Sequence, residues 1–177
     1  GPVQNKTLWD WMQLFFMPLI LALLTVWFNS RSSYLDQERN IDQQREAILR
    51  SSIEENSDLF LRIAGSVPIL ENNILLRTKI LTALRLLDGN RKGVFIQFLH
   101  ETGFLRGTEI LIDLYGADLN NIYLFGAQLL EVNLKGCFIM NSCFENSFLR
   151  ASDFSRSNLD NSNFENAYLR LVNFNFS

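Results

Sequence analysis

From Leu114 to Phe174 every fifth residue is large and apolar: Leu114, Leu119, Leu124, Leu129, Leu134, Ile139, Phe144, Leu149, Phe154, Leu159, Phe164, Leu169 and Phe174. A helix repeats at 3.6 residues and a strand at two, so neither accommodates this pattern. Two residues before each stands a mostly small one, such as Ala117, Ala127, Cys137, Ser142, Ser147, Ser152, Ser157, Ser162 or Ala167. Between the two, Asp or Asn recurs at Asp118, Asn133, Asp153, Asn158, Asn163 and Asn173. Three preferences at one period describe a chain that turns a corner every five residues and covers itself every four repeats. Large side chains stack inside, small ones let the backbone turn tightly, and polar ones point outward. Backbone groups then pair between coils at about 4.8 Å.

The segments "GADLNN", "EVNLKG", "RSNLDN" and "NSNFEN" resemble the A-[D/N]-L-x-x motif of the pentapeptide-repeat family. That resemblance implies a right-handed, four-sided parallel β-helix over residues 108–177, a little over three coils tall. "CFIMN" and "SCFEN" depart from the motif, with Phe138 and Cys143 in place of the outward Asp or Asn. Such departures cluster at Tyr123, Phe125, Leu130, Phe138, Met140, Cys143 and Phe148, which form the candidate interaction surface. Exposed apolar residues in a run mark a contact site. Packing against the rest of the chain or against a second copy accounts for them equally well.

At the other end, "WMQLFFMPLILALLTVWF", Trp11 to Phe28, carries no charge. As a helix it reaches about 27 Å, close to the ~30 Å hydrocarbon core of a bilayer. Trp9 and Trp11 at one end and Trp27 at the other fit interfacial anchors, and Pro18 is tolerated in a membrane helix. The reading is a transmembrane helix over 7–29, preceded at 1–6 by a flank whose Gly1-Pro2 resembles a tag-removal scar. Arg31, Arg39 and Arg45 follow the span and only Lys6 precedes it within the flank, which places the C-terminal side in the cytoplasm.

Residues 30–64 contain no Gly or Pro and read as a stalk helix, with Ser33 and Asp36 resembling a capping box. "GSVP" at Gly65–Pro68 breaks it. A helical hairpin follows over 65–107. One helix has Ile74, Leu76, Ile80, Ala83, Leu84 and Leu87 on its apolar face, "DGNRKG" is the turn, and Val94, Phe95, Phe98 and Leu99 face back from the second helix. His100, one position past that face, reads as a surface or packing residue.

The whole chain also resembles bacterial, largely cyanobacterial, membrane proteins that place a "KTLWDW" opening and span first, then a charged helix and pentapeptide repeats. Here the counterparts are "KTLWDWMQLFFMPLILALL" and "RLLDGNRKG". The resemblance implies a bacterial inner or thylakoid-type membrane, crossed once, and brings no activity with it.

Composition narrows the function. The net charge is −3, and from Thr108 onward four basic residues stand against eight acidic ones, so there is no basic footprint for nucleic acid. One histidine and two cysteines six apart supply no metal, cofactor or catalytic constellation. The expectation is a non-catalytic, membrane-tethered interaction or scaffold protein without cofactor, its partners a protein, membrane lipid and a second copy of itself. An oligomeric membrane assembly or pore-forming effector is the alternative. A DNA mimic of the kind that protects gyrase is the third reading, and its thin acidity weighs against it.

Overall fold

The structure is a computed structural model that describes residues 8–63, 70–106 and 112–177. Within the helices, the side chains of residues 8–18, 20, 28, 30–35, 55–63 and 70–73 lie outside the description. Helices α1 (Leu8–Ile63), α2 (Leu70–Leu86) and α3 (Gly89–Glu101) precede a solenoid over 112–177. The chain divides into two compact units, Gly1–Gln43 and Gln44–Ser177. The division falls inside α1. The backbone of α1 runs through residue 33 without a helix start there, and Asp36 lies 3.9 Å from Arg39 one turn on.

In the first unit Leu19, Leu21, Leu23, Leu24, Val26 and Trp27 are all exposed. At 100° per residue they occupy most of the helix circumference. Thr25 Oγ1 donates to the Leu21 carbonyl at 2.7 Å, so its hydroxyl is satisfied by its own helix. Among the described residues no helix is long and apolar enough to cross a membrane. Much of the run that suggests a span, including the side chains of Trp9 and Trp11, lies outside those residues, as do the 1–6 flank with Lys6, the break at Gly65–Pro68 and the 107/108 boundary.

The second unit has one continuous core. Leu49 of α1, four residues of α2 (Leu76, Ile80, Ala83, Leu84), Leu87 just beyond it and Phe95, Ile96 and Leu99 of α3 join the solenoid's inward residues. Two expected face residues are elsewhere: Ile74 and Val94 are exposed. "DGNRKG" is not a turn between helices but the start of α3. Asp88 is its N-cap and its carboxylate accepts the Arg91 amide at 3.1 Å. The helix therefore begins four residues earlier than Gly93, and its buried stripe is Lys92, Gly93, Phe95, Ile96, Leu99 and His100.

That stripe lies on the open first coil of the solenoid. Gly89 and Gly93 permit the approach: a Cβ at Gly89 would overlap the Asn121 carbonyl oxygen, and one at Gly93 that of Tyr123. The Gly89 carbonyl accepts the Tyr123 amide at 3.0 Å, and Leu105 accepts the Asn133 amide at 3.1 Å. Lys92, 5 % exposed, donates to the Asn120 carbonyl and lies 3.3 Å from Asp118. His100 Nε2 lies 2.7 Å from the Leu130 carbonyl. Arg77 of α2 reaches the Asp113 and Tyr115 carbonyls at 2.7 and 2.6 Å. The hairpin thus caps the solenoid, satisfying backbone groups and covering apolar residues that a preceding coil would otherwise take.

Candidate interaction surface

Parallel bridges join residues twenty apart: Asn133, Asp153 and Asn173 on one side; Asp118, Phe138 and Asn158 on the second; Tyr123, Cys143 and Asn163 on the third; Gln128, Phe148 and Tyr168 on the fourth. Four five-residue repeats make one coil. The central residue of each repeat and the one two before it point inward. Both are buried through Ser157 and become half-buried in the last coil, apart from Leu169, which is 36 % exposed. Phe144 and Phe164 stack at 4.8 Å, Phe154 and Phe174 at 5.6 Å, and the two stacks meet edge-on, with Phe144 and Phe154 5.5 Å apart.

The corners are not made by the small inward residues, as the sequence pattern suggested. They are made by the two residues after each central one. The amide three residues past the central residue bonds back to its carbonyl, as from Ala117 to Leu114 at 2.8 Å. The second turn residue has positive φ at all thirteen corners, from Gly116 to Phe176. This is the type II turn, which favours Gly or Asn there. Eight of the thirteen are Gly or Asn, a period-five signal present in the sequence.

The small inward residues have another task. The hydroxyls of Ser142, Ser152, Ser157 and Ser162 donate to the carbonyls of Leu119, Leu129, Leu134 and Ile139 in the coil before. Cys137 takes the same place, with Sγ 3.3 Å from the Leu114 carbonyl. Burial, reinforced by the charge of Asp113, pushes its thiol up to about 12. The outward Asp and Asn residues brace the corners. Asp113, Asp118, Asn133, Asp153, Asn158, Asn163 and Asn173 each accept the amide two residues on, at 2.8–3.1 Å.

The family model "Pentapeptide repeats (8 copies)" matches residues 144–175. A crystal structure of a pentapeptide repeat protein (Rfr23) from the cyanobacterium Cyanothece 51142 is similar over 33 % of this chain and 47 % of that one, at 23 % identity and TM-score 0.27. The match therefore spans about half the length of that protein. No curated protein matches the chain.

Where a five-residue repeat lacks the bracing Asp or Asn, the outward position makes no such turn contact. Tyr123, Phe125, Leu130, Phe138 and Phe148 are exposed, while Met140 and Cys143 are half-buried. They do not form one plane. Phe138 is on the second side with Met140 at the following corner, Tyr123 and Cys143 are on the third with Phe125 at its corner, and Phe148 is on the fourth with Leu130 beyond. Cys137 is buried and Cys143 is on the outer wall, so the two thiols have opposite facings. Sequence reasoning missed Tyr168, which is 65 % exposed and stacks on Phe148 at 5.2 Å. Residue 168 is the fourth-side outward position one coil after Phe148, and the period of twenty was the signal for it. The fourth side carries no Asp or Asn at all.

Proposed function

We propose that this is a non-catalytic protein tethered to a membrane through α1, presenting the sides of a right-handed pentapeptide-repeat solenoid as a docking wall on the cytoplasmic face of a bacterial inner or thylakoid-type membrane. The observation that carries the tether is the exposed apolar circumference of α1 between Leu19 and Trp27. A helix apolar over most of its circumference needs lipid or other helices around it. What supports a docking role for the wall is its aromatic exposure, on sides where bracing residues are missing. No group of His, Cys, Asp and Glu among the described residues is arranged to hold a metal ion.

The pore reading gains no support. Thr25, one of the two polar side chains of the run with Gln13, is bonded to its own helix. DNA mimicry is disfavoured because Arg150 and Arg170 stand in a column on the same solenoid as Glu145 and Glu165. The test of the tether is alkaline carbonate extraction of membranes from cells expressing the full chain. The chain is expected to stay in the pellet, and Leu19→Arg with Leu23→Arg to release it. Release of the unaltered chain would refute the tether.

A further inference from the structure

The fourth side of the solenoid is a column of Gln128, Phe148 and Tyr168, joined by parallel bridges. The corner before it carries Phe125, Glu145 and Glu165 in register: the Gly126 amide bonds to the Glu145 carbonyl and the Asn146 amide to that of Glu165, each at 2.9 Å. The corner after it carries Leu130, Arg150 and Arg170, by the bonds from Glu131 to Arg150 and from Ala151 to Arg170, both 2.9 Å. The wall is therefore three columns wide, with an acidic column and a basic column on either side of stacked rings. Among the described residues no ion pair joins the two charged columns within the chain.

We infer that the occupant of this side is the same side of a second copy, related by a two-fold axis parallel to the solenoid axis. That rotation reverses left and right but preserves height. Each row then meets its complement: Phe125 meets Leu130, Glu145 meets Arg150, Glu165 meets Arg170, and the central residues meet their own counterparts. A two-fold across the solenoid instead sets acid on acid and base on base, which is repulsive. Complementarity in all three rows under one operation, and repulsion under the other, selects both the partner and its direction. The footprint is small, roughly 10 by 15 Å from strand rise and coil spacing, against ~800 Å² per partner for a stable complex. Association is accordingly weak in dilute solution and strengthens where copies are held at high local concentration. The pairing does not depend on a foreign partner for the other sides.

The test uses the full chain with Cys143→Ser and Gln128→Cys, which sets one thiol on the axis opposite its own copy. The protein is oxidised in phosphatidylcholine liposomes and, separately, as a concentrated detergent solution, and liposome flotation independently reads the tether. A covalent dimer is expected. Glu145→Lys with Glu165→Lys should reduce its yield at least five-fold, and so should Arg150→Glu with Arg170→Glu. Mixing those two variants should restore the dimer as a heterodimer, because each then supplies the column the other lacks. Circular dichroism checks that the variants keep their fold. Absence of the dimer in both preparations, an undiminished dimer in either variant, or no recovery on mixing would overturn the pairing. A dimer in solution without flotation would support it and sink the tether alone.

Discussion

Removing one methyl group should stabilise this protein at residue 151 and destabilise it at residue 127. Ala151 is the second residue of its turn, exposed, with φ at +60°. Holding an L-residue in the left-handed region costs about 1–2 kcal/mol, and glycine escapes that cost. Glycine also gains freedom in the unfolded chain, which offsets about 0.4–1 kcal/mol. Ala151→Gly is thus expected to stabilise by about 0.5–1 kcal/mol, since no buried contact is lost. Ala127 occupies the inward position two before Leu129 and is 3 % exposed. There the substitution removes a buried methyl worth roughly 1 kcal/mol and loosens the unfolded chain as well, for a net loss of about 1–2 kcal/mol. Thermal unfolding followed by far-UV circular dichroism separates the two, since about 1 kcal/mol moves Tm by a few degrees in a unit of this size. Equal loss at both sites would show that the corners are not where the structure puts them.

Further outcomes follow from the core and the cap. Phe144→Ala, which leaves a fully buried ring site between Phe154 and Phe164, should cost about 3–5 kcal/mol by chemical denaturation, whereas exposed Glu165→Lys should change stability by less than ~0.5 kcal/mol. Gly93→Leu should detach α3 from the first coil, read as faster hydrogen exchange at the Tyr123 and Asn133 amides with the last coil unchanged; uniform exchange would contradict the cap. An impermeant maleimide at neutral pH should label Cys143 well before Cys137, and equal rates would contradict their opposite facings. Because burial raises the Cys137 thiol from 9.0 to about 12, the unfolded chain loses its proton first as pH rises; the stability advantage is full below about 9 and is lost between there and about 12, a slope that Cys137→Ser should remove.

The inward register was legible because it repeats thirteen times and burial acts on it at every turn. The corner chemistry was less legible, because Glu131, Ala151, Arg156, Leu171 and Phe176 occupy left-handed positions despite their side chains. Coil-to-coil pairing holds them there, and local preference yields to it. Gly89 and Gly93 read as turn residues for the reason glycine usually is one, yet here they serve close packing of a helix on a coil. His100 was legible only as a lone histidine; its role as a cap of the Leu130 carbonyl depends on a contact thirty residues away. The outward facing of Tyr123, Phe125, Leu130, Phe138 and Phe148 was legible residue by residue, but not their place on three separate sides, since only the fourfold coil assigns each departure to a side.

Sides, columns, cap and self-pairing all rest on a coil of twenty residues, and one pair of thiols tests it directly. Asn163→Cys places a second cysteine beside native Cys143, its partner in a parallel bridge. Adjacent strands lie ~4.8 Å apart, within the Cα separation a disulfide spans. Mild oxidation followed by mass mapping should yield an intrachain 143–163 disulfide in the folded protein. Asn158→Cys and Tyr168→Cys, one repeat short and one repeat long, should yield none with Cys143. A bridge formed by either of those two, or none at 163, would contradict the coil and everything built on it.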